Sequence, residues 1–213
     1  MNLQRGQIME EWNSYLIDGT DVLKNKLGIT DKDELNKVER KKVVENLTCL
    51  GLSPIKGDFD SHHFCMIHKF LFNDIYDFAG KFRTCTLAKP KCQFLEPEII
   101  EEELNRILTN LNEGLKNIYV KEQYIFLLAS AYYELTVAHP FREGNGRTIR
   151  EFFREFVEAK NNELPFNLML DLTKIDKDEA LLAVQERYLY PSLLENVFEK
   201  ALVEIDIEKN KQI

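Results

Sequence analysis

Two stretches of helical apolar spacing, residues 120–138 and 148–163, are separated by HPFREGNGRTIR, residues 139–150, which runs into the second of them. That interruption constrains the fold more than any other feature of the chain. Pro140 and the Gly144-Asn145-Gly146 turn are poor helix material, so the chain must stop one helix and start another here. The first flanking segment, VKEQYIFLLASAYYELTVAHP, is apolar nearly all round, as a helix at the centre of a bundle is; the second, TIREFFREFVEAKNNE, is amphipathic. A bundle core is therefore predicted on both sides of a loop that holds His139, Glu143, Arg142, Arg147 and Arg150.

The rest of the chain repeats the helical theme. Thr30-Asp31-Lys32-Asp33-Glu34 reads as an N-cap, Thr30 leading, with acids in the first turn of a helix reaching about Leu50. Asp60-Ser61 caps a second helix, with Phe64, Ile67, Phe70, Leu71 and Ile75 at helical spacing and Gly80 as its stop. Between Phe82 and Phe94 the residues are β-prone around Lys89-Pro90-Lys91, which predicts one hairpin, too short to form a sheet of its own. Pro97 opens a helix faced by Leu104, Leu108 and Leu111; residues 165–173 read as a connection with room for a helical turn; 173–188 and 192–207 read as two last helices around Pro191. The expected architecture is an all-α bundle with a single short β-hairpin. It forms one domain over residues 1–213, with a core at about 20–200 and helical extensions at both ends.

Bulk properties narrow the class. A net charge of −8 argues against nucleic-acid or membrane-surface binding by bulk electrostatics, and no apolar run has the length of a membrane span. The first residues, MNLQRGQIMEEW, lack a signal-peptide layout, and Cys49, Cys65, Cys85 and Cys92 contain no CxxC pair. Reduced thiols and a cytoplasmic location are the expectation, with secretion by a signal-peptide-independent route left open. Cys85 and Cys92 are spaced to face each other across the hairpin, but a disulfide is the minority reading. His62, His63, Cys65 and His68 resemble a metal cluster but lack a second ligand set, so they are read as solvent-facing or capped helix residues.

The loop's chemistry is more specific. A Gly/Asn turn between helices is ordinarily only a turn with solvated charges. Here Gly-Asn-Gly frees backbone N–H groups at the start of a helix, where the dipole adds positive charge, which suits a phosphate. Arg147 sits in the first turn, where a cation opposes the dipole and makes sense beside an anion; Arg150 follows on the same face, able to grip a neighbouring phosphate. Glu143 would repel that ligand unless Mg²⁺ bridges carboxylate and phosphate. His139 has the free pKa of a base at neutral pH. The set describes phosphoryl or nucleotidyl transfer.

HPFREGNGRTIR also resembles, position for position, the Fic motif H-x-F-x-D/E-G-N-G-R-x-x-R, and IHKFLFNDIYDFAGKFR (67–83) is similar to that family's helix leading into its flap. The resemblance spans roughly residues 20–200. It implies AMP transfer from ATP to a Ser, Thr or Tyr hydroxyl of a target protein. His139 would be the base, Phe141 the anchor of the loop, and Glu143 the holder of Mg²⁺. Gly144, Asn145 and Gly146 would form the nest, with the Asn145 side chain near the α-phosphate, and Arg147 and Arg150 would bind the β- and γ-phosphates. The flap, Arg83, Thr84, Cys85, Thr86 and Leu87, would dock an extended target segment by strand addition. Gly146 sides with the nucleotide transferases rather than with the phosphorylating branch, which is bulkier there.

Family members often carry an inhibitory helix, S/T-x-x-x-E-G/N, whose Glu pairs with the second motif arginine. Glu195-Asn196 fits its end, although Pro191 stands where Ser or Thr belongs; Thr30/Glu34 has the spacing but is explained as a cap. The expectation is an adenylyltransferase autoinhibited through Glu195 on Arg150 and able to modify itself, with ATP, a protein target and a second copy of the chain as partners. Transfer of another phosphate-containing group (UMP or phosphocholine) and a non-catalytic binding module remain as alternatives.

Overall fold

The structure, a computed structural model, describes residues 12–89 and 92–205, with the backbone alone at 88, 89, 92 and 93. Helix α1 (Lys32–Leu52) opens on Asp31 and helix α2 (Ser61–Phe72) on Asp60; each carboxylate accepts a backbone N–H three residues on, at 2.8 Å. The cap of α1 is thus Asp31 and not Thr30, because Asp31 has the extended backbone and the oxygen within reach of the free N–H. α2 ends eight residues before Gly80: the Phe72 carbonyl takes the N–H groups of both Ile75 and Tyr76, which tightens the ladder into turns. Ile75 and Tyr76 stay buried, whereas Phe70, expected in the core, is exposed.

A short hairpin follows, β1 (Ala88–Lys89) against β2 (Cys92–Gln93), antiparallel with Ala88 opposite Gln93. Residues 90 and 91 and the Cys92 side chain lie outside the described residues; Cys49 and Cys65 are free thiols. After a 3₁₀ turn at Pro97–Ile99 come α3 (Ile100–Gly114), α4 (Lys121–Ala138) and α5 (Asn145–Lys160). As its apolar surface requires, α4 is central, packed by α3 and α5 and by α7 (Ser192–Ala201). The main apolar core runs from Val22 to Leu202, and a smaller cluster of Cys85, Leu87 and Phe94 lies apart from it.

The C-terminal part departs from expectation. Residues 165–173 contain a strand, β3 (Leu168–Leu170), as well as the anticipated turn at Leu172–Lys174. It pairs antiparallel with β4 (Leu202–Glu204), which continues directly from α7. The chain therefore carries a second two-stranded sheet, and the last helix ends at Ala201 rather than near residue 207; residues 206 and 207 lie outside the described part. Leu168 and Leu170 point inward and Met169 outward, an alternation three residues long that gives almost no sequence signal. Helix α6 (Lys177–Gln185), capped by Asp176, is likewise shorter than the span 173–188. Among the described residues no helix is long and apolar enough to cross a membrane.

Candidate active site

The loop between α4 and α5 is wired from below. Phe141 is fully buried, its ring stacked on His68 at 3.7 Å and parallel to Phe64 at 5.7 Å. The Asn145 side chain closes the loop: its oxygen accepts the Phe141 N–H at 2.8 Å and its amide donates to the Phe141 carbonyl at 2.7 Å. Expected near an α-phosphate, that side chain is committed to the loop, while the backbone N–H groups of Asn145 and Gly146 stand in the first turn of the helix. Gly144 (φ +83) turns the chain into α5.

His68 holds the loop from α2. Its Nδ1 accepts the Gly80 N–H at 2.7 Å, so Nε2 carries the proton and donates to the Glu143 carbonyl at 3.0 Å. His63 is also buried, with Nδ1 accepting the Phe59 N–H and Nε2 facing Glu155 at 3.3 Å. The expectation was of solvent-facing or capped helix residues; the Asp60 cap does take the His63 N–H, but both rings sit inside, because they satisfy backbone groups that an apolar residue would leave unpaired. Burial, helped by the charge of Arg147, lowers the His68 pKa to about 3. The sign follows: between about pH 6.5 and 3 the unfolded chain holds a proton that the folded chain refuses, so stability is present above that window and falls as pH falls. From pH 7 to 5 this group is expected to remove about 2 kcal/mol, with a slope near 1.4 kcal/mol per unit. Urea unfolding of the wild type and His68→Gln at both pH values checks it; equal losses in the two would refute it.

His139 caps α4 with a left-handed backbone (φ 43), a conformation that clusters at functional sites. Its carbonyl accepts Arg83 Nε at 2.8 Å, its ring stacks on Phe94 at 3.8 Å, and its Nδ1 donates to the Thr136 carbonyl at 3.3 Å, making Nε2 the basic nitrogen.

Arg83, expected on the target-docking face, is buried: its guanidinium reaches the carbonyls of Cys85, Leu95 and Ala138 as well as His139, and its N–H bonds the Pro140 carbonyl. Cys85 is buried too. These two brace the flap against the loop, while Thr84 and Thr86 face outward and Leu87 turns toward His139's cavity. The alternation of 83, 85 and 87 inward is a strand pattern.

The arginines diverge. Arg150 lies over Gly146 and near the buried Tyr132, with no carboxylate in ion-pair reach among the described residues. Arg147 rests on the Phe72 ring at 4.7 Å and is paired to Glu39 at 2.6 Å and Glu143 at 3.3 Å. Glu39, on α1, was not singled out from the sequence. Glu195 pairs with Arg187 at 3.6 Å; the structure does not bring it to Arg150. A cavity of about 520 Å³ joins His139, Glu143, the Gly144–Gly146 turn, Arg147 and Arg150.

Residues 58–157 match the Fic/DOC family. The chain is 32% identical to protein adenylyltransferase VbhT of Bartonella schoenbuchensis over 204 residues, covering 93% of this chain and 41% of VbhT. It is 35% identical to the probable protein adenylyltransferase y4lH of Sinorhizobium fredii over 148 residues, 68% of this chain and 76% of that protein. The fold is similar to BepC of Bartonella tribocorum, solved with bound AMPPNP, at a TM-score of 0.79 and 25% identity over 91% of this chain and 98% of that one. The matched span begins before the helix that supplies the clamping histidine and ends past the loop that it holds, and y4lH is matched over most of its length: this chain belongs to the Fic/DOC family.

Proposed function

We propose that the chain is a protein adenylyltransferase that moves AMP from ATP to a hydroxyl side chain of a protein and releases pyrophosphate. The observation that carries this is the meeting, in one cavity, of His139's basic nitrogen with a helix N-terminus and a guanidinium, Arg150, that has no carboxylate partner among the described residues. The names of VbhT and y4lH and the AMPPNP bound to BepC support it. His139 Nε2 takes the proton of the attacking hydroxyl, whose oxygen bonds to the α-phosphorus as the bond to the β-phosphate breaks. The N–H groups of Asn145 and Gly146 stabilise charge on the α-phosphate, and Arg150 holds the leaving phosphates with Arg147. Thr84, Thr86 and Leu87 remain the flap residues available to register a target strand.

Mg²⁺ fits this chain's residues. Among the described residues no three His, Cys, Asp or Glu side chains gather as a metal site, but Glu143 is half exposed in the cavity, and one carboxylate is what Mg²⁺ uses when phosphates and waters complete its shell. Bound there, it would neutralise charge between the α- and β-phosphates.

The test is incorporation of label from ATP, UTP, GTP or CDP-choline with Mg²⁺, self-modification included. Label from ATP is expected. Preference for another donor would move the reading to that group, and no label with any donor or target would leave a binding module. Because Glu195 is engaged by Arg187, Glu195→Gly is expected to label no faster than wild type; faster labelling would restore the inhibitory role.

A further inference from the structure

Glu39 sits where a polar face should not have it. Leu35, Glu39 and Val43 form one buried stripe of α1, and Glu39 is 7% exposed. One carboxylate oxygen accepts Arg147 Nη1 at 2.6 Å and the other a short hydrogen bond from the Tyr76 hydroxyl. Burial, followed by the nearby Glu39 charge, raises the Tyr76 pKa, so the phenol stays a donor. The second terminal nitrogen of Arg147 donates to Glu143 at 3.3 Å. The two acids are unequal: the Glu39 side chain is 10% exposed and locked from both sides, whereas that of Glu143 is 46% exposed with a longer contact.

We propose that Glu39 is the positioning residue for Arg147. It fixes the guanidinium over Phe72 at the cavity mouth and leaves Glu143 as the one partner that a phosphate can replace. The inference rests on the nucleotide reading of the cavity. On nucleotide binding, Arg147 keeps Glu39 through one terminal nitrogen and, at the other, exchanges a Glu143 carboxylate oxygen for a phosphate oxygen, an acceptor of the same charge. The same exchange frees Glu143 for a cation. Without Glu39, Arg147 falls back on Glu143 alone, and the two residues block each other.

A strut that merely ties α1 to α5 would weaken every ligand alike. Positioning of Arg147 acts beyond the α-phosphate only. Calorimetric titration of the whole chain with ADP and with AMP, each with Mg²⁺ and with chelator, separates the two. Glu39→Gln is expected to weaken ADP at least tenfold and AMP less than twofold. Tyr76→Phe, which keeps the ion pair and loses only its hydroxyl support, is expected to weaken ADP by a smaller factor with AMP again spared, and covers the case that Glu39→Gln does not fold. Equal weakening of ADP and AMP, or unchanged ADP affinity in a folded variant, overturns the proposal. Binding of neither nucleotide by the wild type sinks the nucleotide reading, and this inference with it; nucleotide binding without transfer sinks only the assigned reaction.

Discussion

His139→Ala is expected to lower the rate of AMP transfer by about 10²–10⁴-fold while leaving ATP affinity within about twofold. The reason is that the ring does one thing in the cavity that nothing else there can do. Its Nδ1 donates to the Thr136 carbonyl and its face stacks on Phe94, so Nε2 is the nitrogen without a proton. The groups proposed to bind phosphate belong to α5 and the turn before it, and they are held by Asn145, Phe141 and His68. Removing the ring should therefore leave the nucleotide seat standing. Residue 139 has a left-handed backbone that alanine tolerates poorly, so His139→Asn is the companion variant: asparagine accepts that conformation and offers no base. Both should be inactive with near-normal nucleotide affinity, read by single-turnover transfer alongside calorimetric binding. Transfer at more than a tenth of the wild-type rate in His139→Asn would remove His139 from the reaction.

How much of this was legible in the sequence can be judged from single residues. The helices and the break followed from period and composition, because those signals are local; the anchoring of Phe141 came from the resemblance of the motif, and the ring is buried. A cation in a helix's first turn does imply an anion, but the anion the structure supplies is Glu39, 108 residues away in sequence. No spacing rule links the two. A weaker signal was present, since Glu39 is four residues from both Leu35 and Val43 and so interrupts an apolar stripe. His68 and Arg83 escape a local reading for a related reason: a polar side chain suggests the surface, whereas each lies among buried neighbours and satisfies backbone groups there. The strand at Leu168–Leu170 could not be read at all, because its partner begins at the end of α7 and its length is three residues.

Gly144→Ala is expected to cost about 2–4 kcal/mol of stability and at least about 10²-fold in transfer rate, whereas Gly146→Ala should leave stability unchanged or raise it by up to about 1 kcal/mol. The two glycines flank Asn145 and look interchangeable in sequence, but their surroundings differ. Gly144 has φ +83, and a Cβ there would stand 2.3 Å from the Phe72 ring. That ring is fully buried, packs against His68 at 4.8 Å and carries the Arg147 guanidinium, so it cannot swing aside. The loop must move instead. The Gly144 carbonyl accepts the N–H groups of Arg147 and Thr148, so the first turn of α5 moves with it and the anion seat is displaced from His139. At Gly146 the backbone is helical, and a Cβ would meet only the end of the Arg150 side chain at 3.5 Å, an ordinary contact. Thermal unfolding should separate the two, with Gly144→Ala lower by roughly 5–15 °C and Gly146→Ala at or above wild type. Transfer assays should rank them the same way. Equal melting temperatures would mean that the loop yields at Gly144, and that Phe72 is not the wall on which the catalytic loop is built.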